Sequence, residues 1–179
     1  GAVGNQAYYA DNLVDSGSTT VTGTGSFTYL ADTDNTTFST AIDLSPISFG
    51  TNFTAFTVGN AQNTQNLTLG TLDVQGPISL YGNDLTLSNT VDSTGNLTFY
   101  SSGNTVQSDA ITASNIQLLG TGNFTLNNSG NTFNTLSAGT ATQTVGNLGF
   151  TNSTAITINS NGINSSGTVE VETLSGNLT

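Results

Sequence analysis

A chain of 179 residues without Lys, Arg, His, Cys, Met or Trp carries a formal net charge of −11. Those absences exclude Ser–His and Cys–His nucleophile pairs, conventional zinc and haem sites, and any disulfide framework. They also leave no side-chain cation to pair with phosphate, so neither nucleic acid nor an anionic membrane is an expected partner, and no apolar run approaches the roughly 20 residues of a membrane span.

The length suits one domain with one core. Leu, Ile, Val and Phe together number 44 of 179 residues, which is enough apolar material for a folded chain. Strong helix formers are scarce, whereas Thr, Ser, Asn and Gly dominate. Thr, Val, Ile and aromatics suit strands, and Asn and Gly suit turns. The expected class is all-β.

In chain order, residues 1–60 come first and differ in texture from the rest. They hold Tyr8, Tyr9, Phe27, Tyr29, Phe38, Phe49, Phe53 and Phe56, more aromatics than the remainder of the chain. The stretch TVTGTGSFTYL (20–30) alternates, so strands are expected there, as irregular β coils or as a region protruding from the main body. Clustered aromatics of this kind are more often core than a sugar-stacking platform.

ADTDNTTFSTAID (31–43) follows, with Asp32, Asp34, Asn35 and Asp43 spaced faintly like a calcium loop. Such a loop needs Gly at its sixth position and usually Glu at its twelfth, where Thr37 and Asp43 stand. A solvated Asp/Asn turn is the preferred reading, and Asp32, Asp34 and Asp43 are kept as weak calcium candidates. No other cofactor is expected.

From residue 61 to 179 a short phrase recurs: NLTL at Asn66, GNLTF at Gly95, GNFTL at Gly122, GNLGF at Gly146 and GNLT at Gly176. Alternation puts Leu67 and Leu69, Leu85 and Leu87, Leu97 and Phe99, and Ile116 and Leu118 on the inner faces of successive strands. The same reading places Phe124 and Leu126, Leu148 and Phe150, Ile156 and Ile158, and Val169 and Val171 inside. Turn signals separate these pairs, at Gly82-Asn83, Gly103-Asn104, Gly130-Asn131 and Asn161-Gly162.

The phrase asparagines Asn66, Asn96, Asn123, Asn147 and Asn177 recur at a spacing within the solenoid range of roughly 20–30 residues. A sandwich or barrel needs no such repetition. A parallel β-helix stacks like positions on like positions, so repetition is its signature. With about 22 residues per coil the chain makes roughly eight coils. Stacking also fits a composition with only 6 % charged residues, because like charges repel in a column while Thr and Asn form hydrogen-bonded ladders.

The stretch from Ile111 to Thr179, beginning ITASNIQLLGTGNFTLNNSGNTFNTLSAG and ending LGFTNSTAITINSNGINSSGTVEVETLSGNLT, resembles the repeats of filamentous-haemagglutinin-like exoproteins. TLDVQGPISLYGNDLTLSN (71–89) looks like another such repeat, so the resemblance covers about residues 61–179. Those exoproteins are two-partner-secreted adhesins of Gram-negative bacteria, built as right-handed parallel β-helices. The resemblance implies that hand, an extracellular or cell-surface location, and no catalytic residue. Residues 1–60 match it less well.

The expectation is therefore a rod segment of a large secreted or surface-anchored adhesin. Its neighbours would be further coils of the same chain or identical subunits, and host or surface glycans are candidate ligands. The alternatives are a subunit of an extracellular filament joined through strand edges, and a carbohydrate-binding module using the aromatic first third. Enzyme activity is not expected. Asp32/Asp34 and Glu170/Glu172 are carboxylate pairs of the kind glycoside hydrolysis uses, but no neighbouring cation or apolar pocket is foreseen to split their acidities.

Overall fold

A computed structural model of the chain describes residues 4–12, 19–34 and 36–179. The described residues form strands and turns without helix, and every strand pair among them is parallel. The architecture is a parallel β-solenoid of about eight turns.

One face is an eight-stranded sheet of β1 (Gln6–Tyr9), β3 (Gly25–Leu30), β6 (Phe53–Val58), β9 (Ile78–Gly82), β12 (Asn96–Ser101), β15 (Asn115–Leu119), β17 (Thr135–Ala138) and β19 (Thr157–Ile163). A second face stacks β4 (Ile42–Leu44), β7 (Leu67–Leu69), β10 (Leu85–Leu87), β13 (Asn104–Gln107), β16 (Asn123–Leu126), β18 (Leu148–Asn152) and β20 (Val169–Thr173). The third face is narrower: β8 (Leu72–Val74), β11 (Val91–Ser93) and β14 (Ile111–Thr112) form one sheet, and β2 (Thr19–Val21) pairs with β5 (Ile47–Phe49) in another.

The core is a set of columns running along the stack. In the eight-stranded sheet Phe27, Phe56, Ile78, Leu97, Ile116, Leu136 and Ile158 succeed one another in register. In the second sheet Ile42, Leu67, Leu85, Thr105, Phe124 and Leu148 do the same. Each coil therefore covers the apolar side chains of the one before, which a single coil could not do alone. Leu67, Leu69, Leu85, Leu87, Leu97, Phe99, Ile116, Leu118, Phe124, Leu126, Leu148, Phe150 and Ile156 are each 2 % exposed or less.

The last coil departs from the sequence expectation. Val169 is 44 % exposed, and Ile158 and Val171 are half-buried. β20 is the terminal strand of its sheet, and β19 is followed by the short bridged segment 177–179, so the inner side chains of this coil are incompletely covered. These three are interior by direction but not by burial.

The coil length also differs from the spacing of the phrase. From Ile78 to Leu97, to Ile116 and on to Leu136, one core position follows the next after a coil at the short end of the solenoid range, about 20 residues. Asn66, Asn123 and Asn147 stand at the entrance to strands of the second sheet, whereas Asn96 opens β12 of the first. The phrase thus repeats on two faces, and its interval is one coil from Asn123 to Asn147 but not from Asn66 to Asn96 or from Asn96 to Asn123.

The aromatic first third stacks into the same sheets. Phe27 lies against Phe56 with ring centroids 5.0 Å apart and an interplanar angle of 13°, and Phe49 meets both edge-on. Tyr29 packs on Phe38 at 5.0 Å. The coil that leads from Phe27 to its register partner Phe56 is longer than those that follow, because the segment after β3 leaves the sheet before β4.

Candidate functional site

Side-chain chemistry on this molecule lies on its outer columns and at its corners. At the entrance to the second sheet, one residue of each coil accepts a hydrogen bond from the next. The Asp84 amide donates to Asn66 Oδ1 at 3.1 Å, and the Asn104 amide to Asp84 Oδ1 at 2.7 Å. Further along, the Asn147 amide donates to Asn123 Oδ1 at 2.8 Å, and the Thr168 amide to Asn147 Oδ1 at 2.9 Å. Asn123 Nδ2 donates to Asn104 Oδ1 at 3.1 Å, closing the run. Asn and Asp recur here because a short side-chain acceptor reaches a turn amide that the strand ladder leaves unpaired.

A parallel column borders the eight-stranded sheet. Asn115 Nδ2 donates to Asn96 Oδ1, and Thr135 Oγ1 donates to Asn115 Oδ1, both at 2.7 Å. Two further asparagines are fully buried. Asn131 Oδ1 accepts from the Ile111 amide at 2.9 Å, and Asn152 Oδ1 accepts from the Phe133 amide at 2.9 Å. The recurring phrase builds structure in this way, by tying coil to coil.

A concave polar surface lies on the outside of the eight-stranded sheet. Thr98, Gln117 and Ser137 stand there in register on β12, β15 and β17. Beyond them the pairing of β17 with β19 is interrupted: Leu136 faces Ile158, but Ala138 faces Ile163. Ser137 alone therefore stands opposite the whole of Asn159 to Gly162. That segment arches out and walls a groove of about 260 Å³ lined by Asn96, Thr98, Gln117, Ser137, Asn159 and Asn161, among others. Gly162 has φ of +70°, a backbone conformation that favours glycine, and it gives the arch its turn. On the same sheet Tyr81 and Tyr100 are register partners with ring centroids 6.1 Å apart.

An apolar recess of about 240 Å³ opens at the β1 end, lined by Tyr8, Tyr9, Phe27, Tyr29, Leu44 and Phe49, among others. Tyr8 and Tyr9 are 48 % and 54 % exposed. The Tyr29 hydroxyl is buried without a hydrogen-bond partner. Burial, and after it the Asp11 carboxylate, push its pKa up to about 12.

The candidate calcium residues are not brought together as a loop. Asp32 and Asp34 lie exposed after β3, and Asp32 Oδ1 accepts from the Thr33 amide at 2.6 Å. Asp43 is an exposed residue of β4 whose Oδ1 accepts from the Ser45 amide at 2.8 Å. Asn35 lies outside the described residues. Among the described residues no three acidic side chains are gathered closely enough to hold a metal ion. Glu170 and Glu172 are exposed on β20. Among the described residues one stacked pair of like charges occurs: Asp73 faces Asp92 in register on the third face.

Sequence reasoning missed the groove residues Gln117, Ser137, Asn159 and Asn161. A signal was present in TAITINSNGINSS (154–166), where the even alternation that carries Ile156 and Ile158 fails before Ile163. That break of period is what a bulge does to a strand.

Compared with protein-family models, with curated proteins and with solved structures, the chain matches none. The stacked parallel fold is compatible with β-helix repeats of the filamentous-haemagglutinin kind, and no family match confirms that identity.

Proposed function

We propose that this chain is a rod segment of a large secreted or surface-anchored bacterial adhesin, carrying or spacing binding elements away from a cell. One observation supports this reading above the others: apolar columns and side-chain-to-amide ladders run from coil to coil through about eight turns. Such repetition makes a stiff body whose length grows with coil number, which is what projection requires. The resemblance of residues 61–179 to two-partner-secreted adhesin repeats points the same way.

The test is cellular. Antibody raised against the purified chain should label the surface or culture medium of intact source cells, and deleting its gene should reduce their attachment. Label confined to the cytoplasm, or unchanged attachment, would contradict the proposal.

A second reading, a subunit of an extracellular filament, is supported by the apolar side chains uncovered at both ends of the stack, Tyr8 and Tyr9 at one and Val169, Leu174 and Leu178 towards the other. Sedimentation separates the two. A filament subunit forms long concentration-dependent assemblies, whereas a rod segment stays monomeric.

A further inference from the structure

We infer that the groove walled by the Asn159–Gly162 arch is a binding site for a neutral glycan. Three observations converge on it. The lining is polar but wholly uncharged: carboxamides of Asn96, Gln117 and Asn161 and hydroxyls of Thr98 and Ser137. Each of these groups both donates and accepts, the hydrogen-bonding character of a sugar hydroxyl.

Second, the groove holds polar groups that the fold leaves unused. Ser137 is 0 % exposed, and its Oγ has no hydrogen-bond partner. A buried hydroxyl of that kind costs stability unless something satisfies it. Its neighbours in the column, Thr98 and Gln117, also make no side-chain hydrogen bond among the described residues, and neither does the Asn161 carboxamide. By contrast, the Asn96–Asn115–Thr135 column beside them is tied together. Ladder formation explains that column; it does not explain Thr98, Gln117 and Ser137.

Third, the face continues from polar to aromatic. Tyr100 lies two residues beyond Thr98 on β12, so it projects to the same side, and it pairs with Tyr81. Gln143 Nε2 reaches the Tyr100 hydroxyl at 3.4 Å. A sugar ring has polar edges and an apolar face, and amides beside half-buried tyrosine rings match both.

Charge selects within this class. The chain carries −11 and no side-chain cation, so an anionic polysaccharide meets repulsion and no partner. A cationic ligand finds no carboxylate among the lining residues. The site is independent of the rod assignment, since either a rod or a filament could present it.

The test is binding of the purified folded chain to an array of neutral oligosaccharides (glucans, mannans, galactans and xylans) beside anionic ones (alginate and heparin fragments). Saturable binding to at least one neutral glycan is expected, with none to the anionic set. Gln117→Ala and Asn161→Ala should each weaken that binding about tenfold or more while leaving the melting temperature unchanged. Tyr100→Ala serves as a third variant, and Thr68→Ala, on the second face, should bind as the parent does. Failure to bind any neutral glycan, binding to anionic glycans alone, or full binding by both Gln117→Ala and Asn161→Ala would overturn the assignment.

Discussion

Thr105 occupies an interior position between Leu85 and Phe124, is 0 % exposed, and has a hydroxyl without a partner. An unsatisfied buried hydroxyl costs about 1–3 kcal/mol, and valine has nearly the same shape without it. Thr105→Val should therefore stabilise the protein by about 1 kcal/mol, seen as a melting temperature higher by about 2–4 °C. Tyr29 gives a second test at this scale. Its pKa is raised in the folded state to about 12 from the ordinary 10.0. The folded protein therefore holds a proton that the unfolded chain releases. The associated stability is fully present below pH 10 and is lost as pH climbs towards 12. Thermal melts across that window should show a falling midpoint, and Tyr29→Phe should flatten the fall; an equally steep fall in the variant would refute the assignment. Leu126 is 0 % exposed in the second sheet, and a carboxylate there has no cation to meet. Leu126→Asp should cost about 4 kcal/mol or more and unfold the coils around it, whereas an unchanged melt would remove Leu126 from the interior.

At the scale of strands and coils, tight corners limit the fold more than strand propensity does. Gly120 closes β15 with φ of +89°, and a Cβ there would lie 2.0 Å from the carbonyl oxygen of Ser101 on the coil below. Gly120→Ala should destabilise by at least about 2 kcal/mol, measurable by denaturant titration. The strand pairs of the two wide sheets were legible because two-residue alternation brackets them, as in Leu85-Thr86-Leu87 and Leu97-Thr98-Phe99. The narrow third face was not, although Leu72, Val74, Val91 and Ile111 are buried there. Two of its strands, Val91-Asp92-Ser93 and Ile111-Thr112, hold a single apolar residue each and so display no alternation. The coil length was obscured for a related reason. Asparagine serves the same coil-tying purpose at the corners of two faces, so matching the phrase in sequence matches Asn66 to Asn96 across faces. The groove depends on where the extra residues of the arch go, and sequence alternation fixes only which residues point inward.

Across the whole molecule, the composition follows from stacking. Outer columns of Thr, Ser, Gln and Asn place neutral side chains about 4.8 Å apart, where like charges would repel. The Asp73–Asp92 pair shows that this rule is a preference and not a ban. Exclusion of Lys and Arg has no explanation in the packing. What does follow is that stability accrues coil by coil, so damage to one coil should spread to its two neighbours first.

The central claim is a single parallel stack of coils, and a distance measurement tests it most directly. The natural chain has no cysteine, so spin labels at Thr68→Cys and Glu170→Cys would be the only ones present. These positions belong to one column, Thr68, Thr86, Val106, Thr125, Gly149 and Glu170, and are five coil steps apart. Pulsed electron resonance should give one narrow distribution centred at about 24 Å between backbones, broadened by the label tethers. A separation of about 10 Å, as facing sheets of a sandwich would give, or a broad distribution without a maximum, would contradict the stack.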